Sequence, residues 1–342
     1  MNPDLFIYSD AFTLESGSQL PGFNLAYQTW GKLNEEKNNV IWVCHALTGN
    51  SDVVDWWPGL VGPGFPLDTN RYFVVCANNP GSCYGSTGPL SVHPATGEPW
   101  YHDFPALTTA DMARAFDLLR QHLGIRKIAL SIGGSMGGQI VLSWAIIEPE
   151  LFKRIVPVAT NAFHSPWGIA FNEAQRMAIE ADPSWLTRSP EAGLAGMRAA
   201  RATAMLSYRH YIAFAQKQPD ADHNKIDNYK AASYLQYMGK KIASRFDTFS
   251  YWVLSKAMDS HHVGRGYTSA QEALSRVSAS AMVIGVNTDI LFPPEEQTFI
   301  AEHIPHSRLE IIPSDYGHDG FLVETETIGA LVKSFLEEAV MV

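Results

Sequence analysis

The stretch Ile128-Ala129-Leu130-Ser131-Ile132-Gly133-Gly134-Ser135-Met136-Gly137-Gly138 carries G-x-S-x-G at the joint between two kinds of local structure. Ile128 to Ser131 reads as a strand, and Met136 to Ile147 reads as a helix that runs to the break at Glu148-Pro149. A serine at such a joint sits on a sharp, strained turn, and only residues without a Cβ let the flanking backbones approach that closely. The turn lifts the Ser135 hydroxyl clear of the sheet and beside a helix N-terminus, where the Met136 N–H can stabilise a tetrahedral oxyanion. The plain alternative is a glycine-rich turn with Ser135 as a cap; the strand–turn–helix context weighs against it.

Outward from this joint the chain alternates. Phe23 to Thr29, Val40 to Cys44, Tyr72 to Ala77 and Arg154 to Ala159 are short β-rich runs, and Tyr72 to Ala77 is apolar nearly throughout, as a strand covered on both faces must be. A helix opens at Thr108, with Met112, Ala115, Phe116 and Leu119 at helical spacing, and stops at Gly124. Such alternation predicts an α/β fold with a mostly parallel sheet. Residues 161–265 differ, being rich in Ala, Met, Trp, Tyr and Arg at helical spacing. Alternation then resumes with strand Ser280 to Val286, helix Pro294 to His303, strand Arg308 to Ile312 and a closing helix, Thr325 to Glu338. The expected organisation is therefore a core of residues 1–160 and 266–342, with 161–265 inserted as helices.

Composition narrows the function. At 342 residues and 46% hydrophobic the chain can bury a sizeable core. Its 25 basic against 35 acidic side chains, net −10, and the lack of any Lys/Arg run argue against a nucleic-acid backbone as partner. No apolar run is long enough to span a membrane, and the first residues, MNPDLFIYSD, do not read as a signal peptide. Cys44, Cys76 and Cys83 are few, odd in number and without metal-type spacing, which suits a reducing cytoplasm and no metal site.

A serine nucleophile needs a base, and the base needs an orienting acid; with this motif they follow in the order Ser, acid, His. Asp289 lies in NTDILFPP, just past the apolar strand AMVIGV, and His318 lies in SDYGHDGF, past the next strand. Both positions are loops at strand C-terminal ends, where functional groups gather in open α/β sheets. His261, His262, His303 and His306 lack that context and read as ordinary histidines, and Asp315 and Asp319 stand too close to His318 in sequence to orient it. The expected triad is Ser135, Asp289 and His318. A second oxyanion donor belongs after an early strand, and the Leu47 N–H in His45-Ala46-Leu47-Thr48-Gly49 is the candidate, though these residues read equally as an ordinary turn. The Gly-rich loop Asn78 to Pro89 is fit either to wall a site or merely to connect, and Cys83 within it has no partner that would make it a nucleophile.

Taken together, AYQTWGKLN (26–34), CHALTGN (44–50), GPGFPLDTNRYFVVCANN (62–79), GSTGP (85–89), GGSMGG (133–138), SYL with the following GKK (233–241), RFDTFSYW (245–252), TDILFPP (288–294) and SDYGHDGFLVE (314–324) resemble the homoserine O-acetyltransferase family of the α/β-hydrolase superfamily. The resemblance implies an α/β-hydrolase fold. It also implies ping-pong transfer of an acetyl group from acetyl-CoA, as co-substrate, through the serine to the homoserine hydroxyl, in methionine biosynthesis. By the same resemblance the helical insertion is a lid that forms a tunnel over the serine and a homodimer interface. Arg201 matches the family's arginine for the amino-acid carboxylate, and a guanidinium fork suits that group. Asp319 matches the acid that binds the substrate ammonium. Without the resemblance Arg201 reads rather as a solvated lid arginine, and Asp319 reads equally well as a solvated loop carboxylate.

Two departures bear on the acyl pocket: Gln139 and Ile140 follow Gly138 where the family commonly has Met-Gln, and Pro80-Gly81-Ser82-Cys83 replaces its Gly-Gly-Cys. Serine acetylation, homoserine succinylation and simple ester hydrolysis stay open on the same framework. A non-catalytic binding protein is disfavoured by the intact serine, acid and histidine. The pocket is expected to be lined by Ala46 to Asn50, Asn78 to Gly88 and Ser135 to Gln139, none of them Lys or Arg, which favours an acetyl over a succinyl donor.

Overall fold

The computed structural model describes residues 2–338; Met1 and residues 339–342, the outer ends of the expected core, lie outside the described residues. One sheet holds β1 (Asp4–Tyr8), β2 (Phe23–Trp30), β3 (Val40–Cys44), β4 (Phe73–Ala77), β5 (Ile128–Gly134), β6 (Arg154–Val158), β7 (Ser280–Val286) and β8 (Ser307–Ile312). Its spatial order is β1-β2-β4-β3-β5-β6-β7-β8. The pairs from β4 to β8 are parallel, whereas β1 with β2 and β2 with β4 are antiparallel. The sheet is thus mostly parallel, as the alternation predicts.

The pleat explains the apolar runs. On β3, Val40, Trp42 and Cys44 enter one apolar cluster and Ile41 and Val43 the other, and all five are fully buried. Two helices on the first face are α1 (Thr109–His122) and α2 (Met136–Ile147). Trp42 meets Trp144 of α2 edge-on, ring centroids 5.0 Å apart. A capping box starts α1: the Thr108 hydroxyl accepts the Asp111 N–H while the Asp111 carboxylate accepts the Thr108 N–H. Gly124, just past its end, has φ +67°.

Between β6 and β7 come α3 (Pro166–Glu180), α4 (Leu194–Tyr208), α5 (Tyr211–Lys217), α6 (Lys230–Ala243), α7 (Thr248–Asp259) and the short α8 (Ala270–Ser275). The two ends of this excursion are laced together: the His164 N–H donates to the His261 carbonyl and the Val263 N–H to the Ala162 carbonyl, each at 2.9 Å. Inside it, buried Arg176 of α3 pairs with Asp259 at the end of α7. The chain finishes with α9 (Pro294–His303) beside β7 and β8, and α10 (Thr325–Glu337) on the second face. Among the described residues no helix is long and apolar enough to cross a membrane.

Candidate active site

Ser135 stands between β5 and α2 with φ 56° and ψ −125°, a conformation that costs a non-glycine residue about 1–3 kcal/mol. Contact explains the glycines around it. A Cβ on Gly137 would lie 2.1 Å from the Cys44 carbonyl oxygen, and one on Gly133 2.5 Å from the Gly137 carbonyl. One on Gly134 would strike the Phe321 ring at 2.4 Å, and one on Gly138 the Thr160 side chain at 2.6 Å. The turn is tied to the end of β6 and to the loop just past it: the Ser135 N–H donates to the Val158 carbonyl (2.9 Å) and the Thr160 hydroxyl donates to the Ser135 carbonyl (2.8 Å).

The loops leaving β7 and β8 bring Asp289 and His318 together, both buried, with His318 Nδ1 2.7 Å from Asp289 Oδ2. Asp289 Oδ1 accepts the N–H groups of Leu291 (2.8 Å) and Phe292 (2.9 Å). Ionised and so held, the carboxylate makes Nδ1 the donor and leaves Nε2 of His318 to accept a proton. The imidazole is walled by the rings of Phe292, Phe321 and Tyr208, at centroid distances of 5.0, 5.2 and 5.7 Å. Gly317, φ +65°, lets the loop press on the end of α4: a Cβ there would lie 2.8 Å from the His210 nitrogen.

Ser135 and His318 open onto one cavity of about 60 Å³, shared with Arg201, Tyr208 and Asp319 and walled on one side by Ala46, Leu47 and Thr48. Among the described residues no backbone carbonyl takes the N–H of Leu47 or of Met136, so both donors remain for a ligand oxygen. Two side chains brace the Ala46–Thr48 wall. His45, fully buried and driven by desolvation to a pKa of about 4, is neutral; its Nδ1 donates to the Ala46 carbonyl (2.8 Å) and its Nε2 accepts the Asn79 N–H (3.0 Å). Arg245, between α6 and α7, donates through Nη1 to the Thr48 carbonyl (2.8 Å) and to the Tyr84 hydroxyl (2.6 Å).

The charges in the cavity are opposed. Arg201 on α4 lies over the Tyr208 ring, 5.1 Å from its centroid. Asp319, next to His318, lies with Oδ2 2.9 Å from Nε of Arg209, an ionic contact rather than a directed hydrogen bond. Burial pushes the Asp319 carboxyl above the usual range, while Arg209, His318 and Arg201 pull it back. Neither group is the freely solvated charge that its residue type alone suggests. Tyr208 and Arg209 carry no motif of their own, and Arg245 opens the stretch RFDTFSYW without any sign there of what it touches. Only the helical phase linking Tyr208 to Arg201, seven residues earlier on α4, hints that these two share a face.

The expected pocket lining needs correction. Of Asn78 to Gly88, the stretch from Ser82 onward borders a different cavity, with Asp247 and Ser250. Asn78 and Asn79 serve behind the wall, Asn78 accepting the Ser51 N–H (2.6 Å) and Asn79 meeting His45. Gln139 does not line the cavity either; it is fully buried on α2, its Nε2 donating to Asn161 Oδ1 at 2.9 Å. Arg201, which comes from α4 and lies outside the three expected segments, does line it. Among the described residues no group of three or more His, Cys, Asp and Glu side chains is gathered to hold a metal.

Comparison with known proteins agrees with this architecture. Residues 39–325 match the family model described as alpha/beta hydrolase fold. A homoserine O-acetyltransferase of Cyclobacterium marinum is 50% identical over 338 residues, covering 99% of this chain and 96% of its own. The crystal structure of homoserine O-acetyltransferase from Bacillus anthracis superposes with a TM-score of 0.93 at 26% identity, over 99% of this chain and 98% of that one. Esterase E22 superposes with a TM-score of 0.90 at 24% identity, over 98% of this chain and 99% of that one, a likeness of fold alone.

Proposed function

This chain belongs to the homoserine O-acetyltransferase family of the α/β-hydrolase fold, and on that premise we propose that it moves an acetyl group from acetyl-CoA to the hydroxyl of L-homoserine. Ser135 Oγ attacks the thioester carbonyl carbon as His318 Nε2 takes the hydroxyl proton, and the N–H groups of Leu47 and Met136 stabilise the oxyanion. The intermediate collapses to an acetyl ester on Ser135, and the departing thiolate leaves as the thiol with the proton from His318. The homoserine hydroxyl then attacks the ester carbonyl, giving its proton to His318, which returns it to Ser135 Oγ as O-acetylhomoserine departs. Asp289 holds the imidazole and stabilises its charged form. Arg201 binds the acceptor carboxylate and Asp319 its ammonium.

One observation carries this reading beyond a serine hydrolase: a cation and an anion, Arg201 and Asp319, share the small cavity with Ser135 and His318. A zwitterionic amino acid needs both charges, and ester hydrolysis needs neither. With Arg201 given to the acceptor and Arg209 tied to Asp319, no free cation is left among the described residues of the cavity for a succinyl carboxylate, which supports acetyl-CoA as donor. Residues 161–265 act as a lid over the core and as the surface of a homodimer; exposed Met177, Leu186, Tyr211 and Tyr237 on that segment support this. A cytoplasmic location completes the reading, in keeping with three unpaired cysteines. The test is thiol release from acetyl-CoA. Without homoserine it should stop after about one equivalent per protein chain, and with homoserine it should continue. Continuous release without an acceptor identifies an esterase-like enzyme instead.

A further inference from the structure

We propose that Arg209 is a positioning residue: its guanidinium, paired with Asp319 at the cavity wall, holds that carboxylate charged and oriented for the ammonium group of the amino-acid substrate. The inference rests on reading Asp319 as the ammonium subsite.

Arg209 is the residue at which α4 ends, and its extended backbone (φ −111°, ψ 135°) carries the chain out of the helix. Here the Asp319 turn packs backbone against backbone: a Cβ on Gly317 would lie 3.1 Å from the Arg209 carbonyl carbon and 3.1 Å from the Tyr208 carbonyl oxygen. The 2.9 Å contact between Arg209 Nε and Asp319 Oδ2 is therefore set by two touching main chains, with both side chains mostly buried. The guanidinium also borders a second cavity, of about 210 Å³, with Phe214, Lys217 and Tyr234, so the ion pair stands in the partition between two cavities. It engages Oδ2 and leaves the other carboxylate oxygen for a ligand.

The charged and titratable groups facing Asp319 are Arg201, Tyr208 and Arg209 from α4 and its end, Asp289 from the loop after β7, and His318 on its own turn. Burial and Asp289 oppose ionisation of Asp319, and Arg209 leads the groups that favour it. Among the described residues Arg201 makes no ion pair with Asp319; it lies against Tyr208. The two arginines thus divide the work: Arg201 stays open to a carboxylate, and Arg209 keeps an anion in a desolvated wall. Without Arg209, burial would favour the neutral carboxyl, which has a weaker hold on an ammonium group.

The test is the homoserine KM of Arg209→Gln from pH 6.5 to 8.5, with single-turnover acetylation by acetyl-CoA alone measured beside it. The expected result is a KM raised roughly tenfold or more at pH 6.5 that returns toward the unsubstituted protein's value as pH rises, with acetylation unaffected. Arg209→Lys, which keeps the charge, should restore most of the loss. An unchanged KM, or one raised equally at every pH, overturns the proposal. Asp319→Asn separates the two layers. If it too leaves KM unchanged, the ammonium assignment fails and this inference with it. If it raises KM at every pH while Arg209→Gln changes nothing, only the role of Arg209 falls.

Discussion

Asp289 and His318, 29 residues apart in the chain, meet at 2.7 Å through Oδ2 and Nδ1, and the second Asp289 oxygen is already taken by the Leu291 and Phe292 amides. The carboxylate therefore cannot turn away from the ring. A side-chain amide in its place, offering its N–H₂ to Nδ1, would force the other tautomer and put the proton on Nε2, where it blocks proton uptake from Ser135. Asp289→Asn should keep the fold and lower kcat by about 10³–10⁴-fold. On the proposed mechanism the three side chains act as a unit, so Asp289→Asn added to Ser135→Ala should cost almost nothing further. Steady-state rates of the single and double variants decide the matter; additive losses would separate Asp289 from the serine.

Arg245 braces the Thr48 carbonyl beside the Leu47 N–H from outside the cavity. Losing a whole oxyanion donor costs about 10²–10³ in rate, and loosening one should cost part of that. Arg245→Ala is expected to slow both serine acetylation and its discharge by roughly tenfold, with little change in homoserine KM. A rise in KM with an unchanged kcat would place Arg245 in substrate binding instead.

Packing at the elbow makes a stability prediction. Because a Cβ on Gly137 would lie 2.1 Å from the Cys44 carbonyl oxygen, between two buried main chains, neither can yield without moving β3 or α2. Gly137→Ala should destabilise the protein by about 2 kcal/mol or more, read as a lower urea midpoint. An unaltered midpoint would mean that the close approach is not required.

How much of this is legible in the sequence follows from how local each signal is. The elbow is local: strand, glycines, serine and helix lie within a few residues, and Met136–Ile147 is helical as its pattern predicts. β1 escapes a sequence reading because only Phe6 of Asp4–Tyr8 is buried, while Leu5 and Ile7 face outward, so no clear run marks it. Asp289 and His318 stand out through their places after two strands. Gln139 misleads because neighbourhood in sequence is not neighbourhood in space: one helical turn carries it from Ser135 to Asn161. Arg209 and Arg245 act through contacts spanning 110 and 197 residues, which no local pattern announces.

Acidity should unfold the protein for a reason apart from catalysis. His45, His164 and His261 are buried, and desolvation lowers their pKa values from 6.5 to about 4, about 4 and about 3. Between those values and 6.5 the unfolded chain binds protons that the folded chain does not, so stability rises with pH in that window and falls on acidification. Each histidine contributes up to about 1.4 kcal/mol per pH unit there. The urea midpoint should drop clearly from pH 7 to pH 5; an equal or higher midpoint at pH 5 contradicts the burial of these rings as neutral groups.

If Ser135 carries the acyl group, peptide mass spectrometry after mixing the protein with acetyl-CoA alone will find it there. The expected result is one added acetyl on the peptide containing Ser135, absent from Ser135→Ala and discharged when homoserine is supplied. An acetyl group found elsewhere, or acetyl transfer undiminished in Ser135→Ala, would contradict it.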